Sequence, residues 1–426
     1  MAHLVKFLTF LLSLTLFHTF QLVQSQFSPH HDSRSFNVLN YGAVGDGFSD
    51  DSKAFNDAWE DTCNYIGSQS TMEIPQGRTF LLQPVEFHGP CKSKKILLSI
   101  NGNLIAPEAP YQWKCKEDHC HKWIEFAHIN GLYIDGPGTL DGQGPSWWSL
   151  NCKKYKNACL KRPRGVVISH SSNVHISNIM VKDSPNFQMS LEDSKWVFVK
   201  KLTITADGDS PNTDGIHIQR SQNVFVYNSN IRTGDDCISI GDGSKYVNIS
   251  RISCGPGHGI SIGSLGRYGT KETVENVVVR DCTFRETTNG VRIKTWQGGR
   301  GYVRNVIFER IKLHGATRPI IIDQFYCPHS QCKNHTDALE IKNVMYNHIH
   351  GTSIKKPFVQ LLCSKSVPCK EIFMNDINIH DEEEEMRNRK SLSHHDHHPL
   401  AECINVTGES NGVMKPKLAC LESRRH

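Results

Sequence analysis

Three aspartates, a histidine and two cations stand at spacings that could cut a glycosidic bond. Asp214, Asp236, His258 and Asn289 follow one another at intervals of 22, 22 and 31 residues. Each lies two residues before a short apolar-alternating segment: Ile216-His217-Ile218, Ile238-Ser239-Ile240, Ile260-Ser261-Ile262 and Val291-Arg292-Ile293. Asp235 precedes Asp236, and Lys294 follows Arg292 by two residues, which puts both cations on one face of a strand. Glycoside hydrolysis needs a protonated carboxyl at the leaving oxygen and a carboxylate that activates water or attacks carbon. Repulsion between the neighbours Asp235 and Asp236 is expected to raise one pKa and keep a proton available. Asp214 can hold water with the other, His258 can tune that charge by hydrogen bonding, and Arg292 with Lys294 can grip an anionic sugar.

These residues meet only if their segments stack in register, and the repeats say that they do. A valine preceded by Asn or an aromatic residue recurs at Val174, Val197, Val224, Val247, Val277 and Val306, at intervals of 23, 27, 23, 30 and 29. Both repeated segments are apolar at every second position, the period of a strand. Two or three short strands per repeat, in constant phase, predict an all-β fold: a single-domain parallel β-helix running from about Phe36 to Cys420. Successive coils then lie about 4.8 Å apart and stack like positions into columns. Leucine-rich spacing is absent, and a propeller would need a longer antiparallel unit. Asp51 to Tyr65 reads as a capping helix, because Ala54, Phe55, Ala58, Trp59 and Cys63 share one face. Residues 381–398 read as an acidic and His-rich surface loop, a solvated insertion in preference to a metal trap or pH sensor.

Composition narrows the class. The chain has 426 residues, 38% hydrophobic, with 32 glycines and 18 prolines, which suits strands and turns. A net charge of +5 without a Lys/Arg block argues against nucleic-acid binding. Residues 1–25 read as a signal peptide: Lys6, an apolar run from Phe7 to Phe17, then Val23-Gln24-Ser25 before Gln26. The remaining 26–426 form the β-helix domain, expected to be secreted, monomeric and free of the membrane once the leader is cleaved. The sequons Asn248-Ile249-Ser250, Asn334-His335-Thr336 and Asn405-Val406-Thr407 fit that compartment. So do fifteen cysteines, whose proximity suggests the pairs Cys63–Cys91, Cys115–Cys120, Cys152–Cys159, Cys237–Cys254, Cys327–Cys332, Cys363–Cys369 and Cys403–Cys420, with Cys282 left over. No cysteine group shows zinc-ligand spacing with His partners.

Asn212-Thr213-Asp214, Gly234-Asp235-Asp236, Gly257-His258-Gly259 and Arg292-Ile293-Lys294 resemble, in order and spacing, the four signature motifs of the polygalacturonases, glycoside hydrolase family 28. The resemblance extends to Asn40-Tyr41-Gly42-Ala43-Val44-Gly45-Asp46-Gly47 with Asp50-Asp51, and to Gly138-Thr139-Leu140-Asp141-Gly142-Gln143-Gly144 with Trp147-Trp148. The cysteine-rich ends are similar to the plant branch. It implies a right-handed β-helix that hydrolyses the α-1,4-galacturonan of pectin with inversion and needs neither cofactor nor metal. It implies Asp235 as proton donor, Asp214 and Asp236 as the water-activating pair and His258 in support, with Asn212, Arg292, Lys294 and Tyr326 binding galacturonate. Two rival readings stand beside it: a calcium-dependent pectate-lyase-like eliminase, and a non-catalytic pectin-binding solenoid.

Overall fold

The computed structural model describes residues 32–114, 121–150, 161–328, 332–382 and 399–423. The leader at 1–25, the pairs Cys115–Cys120 and Cys152–Cys159, and the insertion from 383 to 398 lie outside the described residues.

The repeats fold as coils of a right-handed parallel β-helix. One wall is an 11-stranded sheet from Val85–His88 to Ala401–Ile404, in which each strand pairs with its counterpart one coil away. Four of its strands follow the acids and the histidine or carry the cations noted above: β1 (Ile216–Gln219), β2 (Ile238–Ile240), β3 (Ile260–Leu265) and β4 (Asn289–Thr295). Ile216, Ile238, Ile260 and Val291 are in register, and all are buried. The remaining strands wrap round as a 21-stranded sheet, where Val174, Val197, Val224, Val247, Val277 and Val306 form a second buried column. Column on column, these β-branched side chains make one continuous core, burying apolar area worth roughly 25 cal/mol per Å².

Sharp corners keep the coils in phase. At one corner of successive coils Asn223, Tyr246, Asn276, Asn305 and Asn343 take left-handed backbone, φ 56°, 56°, 57°, 55° and 52°. Asn tolerates that conformation best among residues with a side chain, because its short amide bonds locally. Here the amides also bond to each other, Asn305 Nδ2 donating to Asn276 Oδ1 at 3.0 Å and Asn343 Nδ2 to Asn305 Oδ1 at 2.9 Å.

The N-terminal end is closed by α1 (Ser52–Asn64), which buries Ala54, Phe55, Ala58, Trp59, Thr62 and Cys63, the face expected from the sequence. Cys63–Cys91 ties this helix to the coils. Four more of the expected disulfides are formed: Cys237–Cys254, Cys327–Cys332, Cys363–Cys369 and Cys403–Cys420. Cys282 is free and buried, its S–H donating to the Arg280 carbonyl at 3.2 Å, and burial pushes its thiol up to about 12. Among the described residues no helix is long and apolar enough to cross a membrane.

Candidate active site

The register brings the sequence's columns together. His217, Ser239, Ser261 and Arg292 are direct neighbours on β1 to β4. The loops entering those strands stack too, for Gly215 N–H donates to the Asp236 carbonyl at 2.9 Å and Cys237 N–H to the Gly259 carbonyl at 2.8 Å. Asn212, Asp214, Asp235, Asp236, Lys294 and Tyr326 all line one cleft of about 290 Å³. His258 and Arg292 join it by bonding to its acids.

Asp236 sits at the floor with 1% exposure, and the bonds its carboxylate accepts come from the following coils. Ser261 Oγ–H donates to Oδ1 at 2.7 Å, Arg292 Nη2 to the same oxygen at 2.7 Å, and Lys294 Nζ to Oδ2 at 2.8 Å. Burial alone would raise its pKa; Lys294 and Arg292 overcome that and hold it at about 2. The two cations are therefore not free to grip substrate with all their donors. Arg292 Nε–H is also committed, to Ser261 Oγ at 3.0 Å, while Lys294 Nζ lies 5.4 Å from the centre of the Tyr326 ring.

Asp214 is buried one coil earlier and has no such clamp. Burial, then the charges of Asp235 and Asp236, push its carboxyl well above the ordinary range. The acid that is raised is Asp214, because Lys294 and Arg292 bond to Asp236, whereas at Asp214 the charge of Lys294 does not offset burial and the two neighbouring acids. His217 Nε2 lies 3.1 Å from Gln219 Oε1, and its Nδ1 lies 2.8 Å from Ser239 Oγ. Ser239 also bonds to Asp214, and that bond lowers the pKa of the acid without offsetting burial and the neighbouring charges. Burial pushes His217 down to about 4, keeping it neutral in this chain of bonds.

Asp235 is the most open of the acids, its side chain 19% exposed. Its Oδ1 accepts from the Asp236 N–H at 2.8 Å and lies 3.0 Å from His258 Nδ1; Asn212 Nδ2 approaches Oδ2 at 3.4 Å. Asn289 braces the histidine's loop by donating to the His258 carbonyl at 3.1 Å. Asp235, Asp236 and His258 offer ligand atoms within 4.8 Å of one another and could in outline hold a metal ion. The donor set fits one poorly, since both Asp236 oxygens already face Lys294 or Arg292, whose charges would repel a cation.

Sequence reasoning placed Ser239, Ser261 and His217 in the outward column but gave them no role. Their signal was the column itself, since a serine one coil beyond a buried acid is within reach to bond to it. Tyr326 was found by resemblance alone, and its ring packs edge-on to Trp296 at 5.5 Å.

Residues 63–395 match the glycosyl hydrolases family 28. Polygalacturonase QRT2 of Arabidopsis thaliana is 40% identical over 392 residues, covering 92% of this chain and 85% of that protein. A polygalacturonase of Persea americana is 43% identical over 345 residues, 80% of this chain and 73% of that one. Among solved structures, the hyperthermoactive exopolygalacturonase of Thermotoga maritima superposes with a TM-score of 0.68 at 21% identity, over 82% of this chain and 87% of that one. The polygalacturonase of Erwinia carotovora gives 0.66 at 22%, over 92% and 96%.

Proposed function

The chain belongs to the glycosyl hydrolases of family 28, and from that membership we propose that it hydrolyses the α-1,4-galacturonosidic bonds of pectic galacturonan with inversion at the anomeric carbon. The observation that carries the reading is the opposite treatment of two buried acids one coil apart. Asp236 is held ionised by three donors, while Asp214 is pushed toward its protonated form. Such a groove holds a base and a proton side by side at one pH.

In this reading Asp235, the acid most open to the cleft, protonates the glycosidic oxygen as the bond to the anomeric carbon breaks. Water held between Asp214 and Asp236 attacks that carbon from the other side and gives its proton to the ionised pair. The buried pair Asp214 and Asp236 holds one proton between its two acids. That proton rests on Asp214 in the empty groove and passes to Asp235 before cleavage, which leaves Asp214 ionised beside the water. His258 orients Asp235. Ser239 and His217 hold Asp214, and Ser261 holds Asp236. The donors of Arg292 and Lys294 that Asp236 does not use, with Asn212 and Tyr326, bind the sugar carboxylate.

Two further readings predict different products. A pectate-lyase-like eliminase would need a divalent cation and release an unsaturated sugar absorbing in the ultraviolet. The cations on Asp236 favour the hydrolase. A non-catalytic pectin-binding solenoid would keep the groove and lose an acid, whereas all three aspartates are present. We also read the chain as an exported, disulfide-bonded monomer, on the strength of its apolar leader, sequons and cysteines. Incubation with demethylated polygalacturonate should release reducing ends without ultraviolet absorbance and independently of a chelator. Proton NMR should find the first product inverted. Retention, or chelator-sensitive elimination, would overturn the mechanism.

A further inference from the structure

The wall that follows the active-site sheet round each coil carries a second groove. On its outer surface the register lines up Tyr133, His175, Phe198 and Phe225. Their rings stack in sequence at 4.5, 4.8 and 5.0 Å, within 3°, 11° and 5° of parallel. The next position in the column is Asn248, after which it turns aliphatic with Val278, Ile307 and Met345. A cavity of about 590 Å³ opens there, lined by Phe225, Asn248, Val278 and Ile307, with Trp196 and Tyr246 among its walls.

Those two aromatics stand where other coils use asparagine. Trp196 and Tyr246 take the left-handed corner conformation at φ 57° and 56°, which is unfavourable for a bulky residue. They are 47% and 53% exposed, two coils apart, with Asn223 between them. The strain is not repaid by burial. Asn248, half-buried between the rings and the aliphatic residues, makes no hydrogen bond through its amide among the described residues, unlike Asn405, whose Nδ2 donates to the Cys363 carbonyl at 2.9 Å. It is also the acceptor of the sequon Asn248-Ile249-Ser250.

We propose that Asn248 carries an N-linked glycan whose first N-acetylglucosamine lies in this groove, its apolar face continuing the ring column over Phe225 and its edges held by Trp196 and Tyr246. In the transfer, Asn248 Nδ2 bonds to C1 of the sugar, the C1–O bond to a lipid diphosphate donor breaks, and the amide proton is lost as the diphosphate leaves. Ser250 is 5% exposed in the folded coil, so transfer precedes the pairing of this strand with its neighbours. A pyranose presents C–H groups on one face and hydroxyls on its rim, which matches a groove with aromatic walls and an amide edge. The sugar covers apolar surface that the coil geometry leaves open. The inference rests on export of the chain, and its test separates the two.

The full-length chain, expressed with its own leader in a secretory host, is mapped by peptide mass spectrometry with and without enzymatic removal of N-glycans. Asn248 should be occupied in nearly all molecules, and native glycan removal should be slow there. Trp196→Ala and Tyr246→Ala should each speed that removal several-fold at Asn248 and at no other sequon. Ser250→Ala, which deletes the sequon but keeps Asn248, should raise binding of an apolar dye while hydrolysis of polygalacturonate stays at its wild-type rate. An unmodified Asn248 in a secreted protein glycosylated at Asn334 or Asn405 would overturn the proposal and leave export standing. Absence of glycan from all three sequons would remove both. Unmodified Asn248, together with retention on insoluble polysaccharide that Trp196→Ala abolishes, would give the groove to a foreign polymer and overturn the glycan. Unchanged removal rates in both aromatic variants would overturn the docking.

Discussion

The active-site wall and the wall after it are made by the same coils, at the same spacing, yet they stack opposite kinds of residue. Around the corner, Tyr133, His175, Phe198 and Phe225 place like on like, and each added coil extends a favourable column. In the groove the same rule places Asp214, Asp236 and His258 one above the other, and stacking works against stability. The fold tolerates this because the next coils bring Ser261, Arg292 and Lys294 to Asp236. Asp214 bonds to no cation, and the more distant charge of Lys294 does not offset its burial and the repulsion. A solenoid thus makes a stable wall by repeating a residue, and a reactive one by repeating a charge and compensating it incompletely.

Removing the charges one at a time breaks this contrast most sharply. Asp214→Asn, Asp235→Asn and Asp236→Asn should each lose activity on polygalacturonate by about 10²–10⁴, the usual worth of an acid or base. Their stabilities should diverge. Asp236→Asn leaves Lys294 and Arg292 buried without their anion and should cost about 3–5 kcal/mol in denaturant unfolding. In the wild type the stability from Asp236 is present above its unfolded pKa near 3.8 and is lost as pH falls toward about 2. Asp214→Asn has the opposite sign. A raised folded pKa means that stability is present at low pH and is lost as pH rises through that pKa, so the amide should melt higher than wild type at neutral pH. That advantage should vanish in acid. Destabilisation of Asp214→Asn at neutral pH would end the claim that this column is under tension.

Activity should follow the same proton. If the proton that Asp214 holds is the one donated in the proposed mechanism, it is lost above the raised pKa of Asp214. The alkaline limb of kcat/KM should therefore lie above the ordinary aspartate range, and Arg292→Gln or Lys294→Met should move the profile. Each substitution should also cost about ten- to a hundredfold in kcat/KM, the equivalent of roughly 1.5–3 kcal/mol for a charge-assisted contact. If these residues only gripped substrate, KM alone would rise. Because both hold Asp236, kcat should fall as well, and an unchanged pH profile in either variant would separate them from the acid.

Much of this was legible in the sequence for a physical reason. A coil of 22 to 31 residues imposes its phase on every strand, so Val224 or Ile238 announces its own column, and the polar residue two positions before β2 must stack on its counterpart before β1. The capping helix was equally plain from Ala54, Phe55, Ala58, Trp59 and Cys63. What the sequence could not give is reach across coils. That Lys294 Nζ and Arg292 Nη2 extend past Ser261 to Asp236 depends on side-chain length against a rise of about 4.8 Å per coil. Adjacent letters made Asp235 and Asp236 look like the repelling pair. Only the register shows that two cations bond to Asp236 while neither bonds to Asp214.

The smallest expected effect tests whether the two walls are independent. Phe198 lies between His175, 4.8 Å away, and Phe225, 5.0 Å away, on the wall beyond the groove. Phe198→Leu keeps an apolar side chain of similar reach and removes two ring contacts, each worth about 0.5–1.5 kcal/mol beyond burial. Unfolding stability should fall by about 1–2 kcal/mol, since the flanking side chains can close over leucine. Its neighbours Val197 and Val199 point into the core and still hold the coil in register, so β1 and β2 should not move. Activity on polygalacturonate and the position of the alkaline limb should therefore match wild type. A shift in that limb would mean that the aromatic column helps to set the spacing of the acids, and that the two walls share one mechanical frame.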